Sequence, residues 1–523
     1  METAKKIFYT LTTAAIFLSA QLYADIKLPR IFSNSMVLQC GEPVNVWGKA
    51  APNAKVEVAF ANQRVSTTAG ADGSWSVKLA AMKPSAQGAT LTVYENGAPK
   101  RTISDVLVGE VWIAGGQSNM AFGLKGADGS KELIENANNS LIRYFNMGGT
   151  PRMKSLDGIG KNPEWDCVKG ASWLVCSPKN AEYCFKAVPY IFARSLAKKL
   201  NIPVGIVYTA IPGTNMRSWI PRADFEENPK FAKQKELFQN KIKNYDAKKA
   251  LEKYEESVRT YPERVAKAKK EGYRPPEAWT VSEEMRPWKD SPDRWASPCM
   301  LYNIRIAPIK NFTARGIVWY QGEADSYIDY FDSLFTAFIE VWRREFGKPN
   351  MPFVFVQLPS FESKNWCKIR LQQQSVADKI PNVFMATTVD TGTKDDIHPH
   401  DKLPVGERLA ALTLAKVYNA GDVRACGPKM KSVRYENNGA LVAFGSYGKL
   451  EIRGEPRGFE VLADGKWRTA NAKLHGNSVS VFAPDKKAKV SGVRYLYKNW
   501  AKPDVCLYDD KGFPAYPFED VKK

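Results

Sequence analysis

The stretch EVWIAGGQSNM, residues 110–120, closes an apolar run with Gly115-Gly116 and delivers Ser118 two residues later. In an open α/β sheet, ligands bind beyond the carboxyl ends of the strands. Glycines there let the backbone turn sharply and approach a substrate. A serine in that place can offer its hydroxyl as a nucleophile and aim its own N–H at a reacting carbonyl. The same Ser and Asn would also suit a polar turn capping a helix. A hydroxyl is a weak nucleophile at neutral pH and needs a base. Only three histidines are present, His398, His400 and His475, so imidazole chemistry has few candidates. His398 lies in DDIHPHDK, residues 395–402, with Asp395 three residues before it and Asp396 two before it. A carboxylate so near can hold the imidazole Nδ1–H, fix its tautomer and stabilise the imidazolium. His400 has a more poorly spaced acid, and His475 falls among C-terminal strand patterns where a structural role is expected.

Two further strand ends offer polar groups. VGIVYTAIPGTNMRSW places Gly213 and Thr214 after an apolar run, with Arg217 close behind, and GIVWYQGEADSY places Gln321, Gly322 and Glu323 after another. The backbone N–H of Gly213 and the amide of Gln321 are candidate oxyanion donors, each worth about 3–4 kcal/mol in the transition state. Glu323 is read as a substrate-binding group or one that orients its neighbours. Each segment alone would also pass as an ordinary turn. Competing motifs are absent from the sequence: Met120 stands where a GxSxG elbow needs its last glycine, and there is no P-loop, HExxH or GxGxxG.

These segments need a scaffold that brings strand ends together. VLVGEVWIAGG, VGIVYTA, GIVWYQG, FVFVQL and VFMATTVD are short, nearly continuous apolar runs, as expected of parallel strands covered on both faces. YIFARSLAKKL and YFDSLFTAFIEVWRREFG supply helices between them, so a doubly wound α/β domain is expected over 106–425. Residues 222–295 are rich in Lys, Glu and Ala and read as an inserted helical hairpin. Its charges are mixed in sign, which fits a solvated face better than a nucleic-acid patch. Before the α/β region, residues 25–105 alternate in character between turn signals, as in a small β-sandwich. Strand patterns return over 426–523 as a C-terminal β-rich module.

At 523 residues the chain is long enough for about three domains of roughly 150 residues. Apolar residues at 44% and charged residues at 25% exclude disorder or a collagen-like repeat as its main character. The formal charge of +20 permits attraction to anionic partners without choosing among them. Residues 1–24 read as a secretory signal: Lys5 and Lys6, an apolar stretch from Ile7 to Ala20, and a cleavage site after Ala24. No later run reaches the ~18 apolar residues that span a bilayer, so an exported protein, periplasmic or secreted, is expected. The eight cysteines include no CxxC pair, which argues against a structural zinc. Cys167, Cys176 and Cys184 are close enough for one local disulfide, which an exported setting would permit.

Taken together, GGQSNM, WYQGEAD and DIHPHDKLPVGERLA resemble the sialate O-acetylesterase family of SGNH-type serine esterases. The flanks LPRIFSNSMVLQ, SPCMLYNIRIAPI, PFVFVQLPSF and VRYLYKNWAKPDVCLYDDKGFPAYPF extend the resemblance over most of the chain. It implies a three-layer α/β/α domain with a parallel sheet, flanked by N- and C-terminal β-rich modules. It also implies removal of O-acetyl groups from sugars without metal or cofactor. Ser118 matches the family's nucleophile, His398 its base and Gly213 its oxyanion glycine. The acid stays open between Asp395, the usual spacing of SGNH enzymes, and Asp396, the aspartate of the DIHP pattern. Ile211-Pro212-Gly213-Thr214 departs from the usual GGT, and Pro212 lacks a backbone donor. O-acetylated sialic acid is the first expected substrate, with Arg217 as a partner for its carboxylate; an acetylxylan or other plant-glycan esterase is the alternative. A glycan-binding protein that has lost catalysis is the alternative of another class, and it requires Ser118 and His398 to stand out of hydrogen-bond reach. No nucleic-acid partner and no membrane span are expected, and the oligomeric state is left open.

Overall fold

A computed structural model of the chain describes residues 26–148, 162–271, 297–424, 426–445 and 448–522, with short stretches at 275–276, 278–282 and 285–286. The secretory signal expected over 1–24 lies outside the described residues. The centre of the molecule is a mixed, mainly parallel sheet. Its strands, in chain order, are β1 (Ala98–Gly116), β2 (Asn139–Asn146), β3 (Ser172–Cys176), β4 (Val204–Tyr208), β5 (Gly316–Tyr320), β6 (Phe353–Val356) and β7 (Val383–Ala386). They lie in the order β7-β6-β5-β1-β4-β2-β3. All neighbours are parallel except β2 and β3. Every residue of β4, β5 and β6 is buried, the outcome the continuous apolar runs implied.

Helices cover both faces: α1 (Ala187–Leu200), α2 (Phe331–Glu345), α3 (Trp366–Lys379) and α4 (Leu403–Lys416). Trp112 of β1 meets Phe192 of α1 edge-on at 5.5 Å, while Trp319 of β5 meets Trp342 of α2 at 5.1 Å on the other face. The two indoles need room beside neighbouring strands, and glycine provides it. A Cβ on Gly115 would stand 2.6 Å from the Trp319 ring. This α/β/α arrangement with β-rich flanks is the expected fold class.

β1 is 19 residues long and belongs to two structures at once. Its first half pairs antiparallel with Ser85–Glu95 of the N-terminal strands, and its second half is the middle of the central sheet. The strand runs through residues 105 and 106 without a break, and the N-terminal strands share one hydrophobic core with the central domain. A buried polar knot ties the joint. Glu110 accepts from Arg315 Nε at 2.8 Å, Gln39 Nε2 at 3.0 Å and Tyr418 Oη at 2.8 Å. Burial raises the Glu110 carboxyl, but these partners outweigh it and hold the group below the usual carboxylate range.

The insert contains the helices Arg222–Glu227, Ala232–Lys243, Ala247–Arg259 and Tyr261–Lys270. The last two bury no residue, consistent with a solvated, mixed-charge surface. C-terminal strands form two four-stranded sheets around a separate core. All eight cysteines are free thiols, so the local disulfide considered for Cys167, Cys176 and Cys184 is not formed. No helix among the described residues is long and apolar enough to cross a membrane.

The register of β1 against β5 sets where the strand ends fall. Gly316 pairs with Trp112 and Tyr320 with Gly116, so the two strands end level. Gly116 has φ +131°, and a Cβ there would lie 2.2 Å from the Tyr320 carbonyl oxygen. Both the backbone angle and the space exclude a side chain. Gly116→Ala should therefore cost roughly 3 kcal/mol or more of stability. Urea or thermal unfolding would check this, and a variant as stable as the parent would contradict it.

Candidate active site

Ser118 occupies the turn that follows β1. The turn is held from both sides: Gln117 N–H donates to the Tyr320 carbonyl at 3.0 Å, and Ala121 N–H returns to the Gln117 carbonyl at 2.9 Å. The Gln117 side chain accepts from Ala324 N–H at 3.2 Å, linking this turn to the one after β5. Ser118 itself is half-buried at the rim.

His398 arrives from the loop between β7 and α4, 280 residues away in sequence, and its Nε2 lies 2.8 Å from Ser118 Oγ. That is hydrogen-bond distance, the relation a serine and its base require. Asp396 is the nearer carboxylate. Its Oδ1 lies 4.0 Å from His398 Nδ1 and accepts the His398 backbone N–H at 2.8 Å, while its Oδ2 lies 3.9 Å from His400 Nε2. At 4.0 Å the Asp396–imidazole relation is electrostatic; a hydrogen bond requires closer approach. Asp395, the candidate at the usual spacing, is exposed on the loop. His400 packs edge-on against Phe122 at 5.2 Å, and His475 ends a strand of the C-terminal module. That module also braces the loop, since Lys502 Nζ donates to the Gly392 carbonyl at 3.1 Å.

The loop after β4 lies beside the same strand end. Ile211 N–H donates to the Gly116 carbonyl at 3.1 Å, and Gly213 adopts φ +69°, a left-handed conformation that glycine takes at little cost. Gln321 differs from its expected part as an oxyanion donor. Its Nε2 donates to the Thr214 carbonyl at 2.5 Å, so the amide holds the Gly213 loop in place. Side-chain direction at a strand end is set by what packs around it, which spacing does not reveal.

Beneath the turn lies a cluster of buried polar groups. Glu323 is buried, which raises its carboxyl above the usual range, and its Oε1 accepts from Asn119 Nδ2 at 2.6 Å. Asp325 is pushed up to about 7 by burial, although it accepts Met216 N–H at 3.0 Å. Arg217 is only 4% exposed, lies over the Phe238 ring at 5.4 Å and acts electrostatically on Asp325. A substrate carboxylate at Arg217 would compete with that buried aspartate. Asn119 and Lys402 also belong to this cluster and had no assigned role in the sequence. One local sign was present. Lys402 is the N-cap residue of α4, where a cation opposes the helix dipole.

With this geometry in hand, comparison with known proteins gives a consistent answer. Residues 285–415 match the family "Carbohydrate esterase, sialic acid-specific acetylesterase". This span contains Gln321, Glu323, Asp396 and His398 but not Ser118, so only the folded chain brings serine and histidine together. The mouse sialate O-acetylesterase is 28% identical over 93% of this chain and 92% of its own length, and the human one 25% identical over 93% and 91%. A crystal structure of a carbohydrate acetylesterase from Xanthomonas citri superposes with TM-score 0.76 at 26% identity, covering 95% of this chain and all of that one. The chain resembles the sialate O-acetylesterase family over nearly its whole length, and it is a carboxylic ester hydrolase.

Proposed function

We propose that the protein is an exported carbohydrate O-acetylesterase working through Ser118, His398 and Asp396. The observation that carries this reading is the 2.8 Å approach of His398 Nε2 to Ser118 Oγ. His398 takes the Ser118 proton as the oxygen attacks the ester carbonyl, then gives it to the leaving sugar oxygen, which departs as the hydroxyl. Water, activated by the same imidazole, hydrolyses the acetyl-enzyme. Asp396 stabilises the imidazolium that forms, and a small approach would convert its 4.0 Å separation into a hydrogen bond. Catalytic hydrogen bonds are often long before substrate arrives. The N–H groups of Ser118 and Gly213 are the oxyanion donors, with Gln321 holding the loop that carries the second. The same 2.8 Å distance opposes the reading of an inactive glycan binder, which needed serine and histidine apart.

The names of the curated relatives support O-acetylated sialic acid as substrate. One observation favours the second reading, an acetylxylan or other neutral acetylated glycan. Arg217, the expected anchor for a sialate carboxylate, is buried and already acts on Asp325. Acetate release from O-acetylated sialoglycan and from acetylxylan, measured side by side, separates the two. Export rests on residues 1–24 and is tested by finding the mature N-terminus at residue 25.

Ser118→Ala should fold and lose at least about 1,000-fold in kcat on an acetyl ester; undiminished turnover would end the mechanism. Asp396→Asn should lower kcat about 100-fold or more, whereas Asp395→Asn should stay within about threefold. The reverse ranking would transfer the acid role to Asp395.

A further inference from the structure

Three buried side chains meet under Ser118 and take no part in the steps above. Asn119, the residue after the nucleophile, is fully buried. Its Nδ2 donates to Glu323 Oε1 at 2.6 Å and to the carbonyl of Ile397 at 2.9 Å, and its Oδ1 accepts from Lys402 Nζ at 2.6 Å. Lys402 has no exposure, and its ammonium lies over the rings of Phe122 at 4.9 Å and Tyr320 at 5.7 Å. The amide thus separates an ammonium from a carboxylate, with its oxygen toward the positive charge and its NH2 toward the negative one. Turned over, it would set its NH2 against the ammonium and its oxygen against two acceptors. The charges on either side admit one orientation.

That orientation has a consequence for the reaction. Ile397 immediately precedes His398 and Asn119 immediately follows Ser118, so the Asn119 amide joins the nucleophile's turn to the base's loop. Well-packed apolar residues would fill such a space with less penalty than two buried charges. Burial holds the Lys402 amine down to about 7 and raises the Glu323 carboxyl. Each group partly counters the effect of burial on the other, with Asp396 and Asp401 adding to the field at Lys402.

We propose that Lys402 is a positioning residue for the esterase: together with Glu323 it orients the Asn119 amide, which sets the Ser118 turn against the His398 loop. The proposal rests on the reading of Ser118 and His398 as nucleophile and base. Lys402 acts through Asn119 without touching the ester.

The test uses the full chain as wild type, Lys402→Met, Glu323→Gln and the double variant. kcat and KM are measured on p-nitrophenyl acetate, together with the thermal midpoint. The rate at which Ser118 Oγ displaces fluoride from a fluorophosphonate is measured as well. Misplacing reacting groups by about 1 Å can cost about 100-fold. Each single variant should therefore lose about 10- to 100-fold in kcat and in phosphonylation rate, with KM within about threefold. The double variant should be no slower than the slower single one, because residues acting through one amide are not additive. A folded Lys402→Met with kcat near wild type would overturn the proposal, as would losses that multiply in the double variant or fall on KM alone. If Lys402→Met does not fold, the double variant is compared with wild type: a loss in kcat of about 10- to 100-fold with KM within about threefold supports the proposal, and a larger loss or none refutes it. Ser118→Ala distinguishes the two levels. Retained turnover there refutes the nucleophile reading itself, while full dependence on Ser118 with indifference to Lys402 refutes only the positioning role.

Discussion

The site depends on how closely the backbone of Gly116 can approach that of Tyr320. With a Cβ excluded at 2.2 Å from the Tyr320 oxygen, β1 and β5 can end level. Three loops then hang from nearly one point. Gln117 N–H reaches the Tyr320 carbonyl, Ile211 N–H reaches the Gly116 carbonyl, and Gln117 Oε1 holds Ala324 N–H. The Ser118 turn, the Gly213 loop and the QGEAD turn are thereby placed by sheet register. His398 is the exception. It comes from the loop after β7 at the sheet edge and crosses over to Ser118.

The two ends of the part of β1 that lies in the central sheet handle buried charge in different ways. At Glu110 the carboxylate is met by Arg315, Gln39 and Tyr418, which leaves it ionised in spite of burial. At the other end, Gln321 Oε1, Glu323 Oε2 and Asp325 Oδ1 are buried without a protein hydrogen-bond partner. Buried polar atoms are nearly always paired, so such a concentration is informative. The end that joins the modules is electrostatically closed. The end beside Ser118 keeps acidic groups in an environment that raises their pKa values, as at Asp325 and Glu323, a pattern common at functional sites.

The C-terminal module also contributes to the order of the end that holds Ser118 and His398. Arg370, fully buried in α3, donates to the Asn499 carbonyl at 3.0 Å, and Lys502 reaches the Gly392 carbonyl at 3.1 Å. Arg408 of α4 forms a two-pronged pair with Asp390 at 2.6 and 2.7 Å. The irregular segment that presents His398 is thus clamped at its start by a helix and by a separate β-rich module. Loops that carry function need such a scaffold to be accurate.

Much was legible in the sequence, and its limit has a physical cause. Continuous apolar runs indicated buried parallel strands, because residues covered on both faces have no polar side. Gly115-Gly116 marked a strand end where backbone and side chains crowd, and Ser118 and His398 stood out as reactive types just past strand ends. Those are local properties, written in a few consecutive residues. The tertiary structure alone decided how far side chains from distant segments lie from one another. It brought Asp396 rather than Asp395 to face His398, turned Gln321 toward Thr214, set Arg217 within electrostatic reach of Asp325, and joined Asn119 to Lys402 across 283 residues. Side-chain direction in an irregular loop follows from long-range packing and charge, so it exists only once the chain has closed.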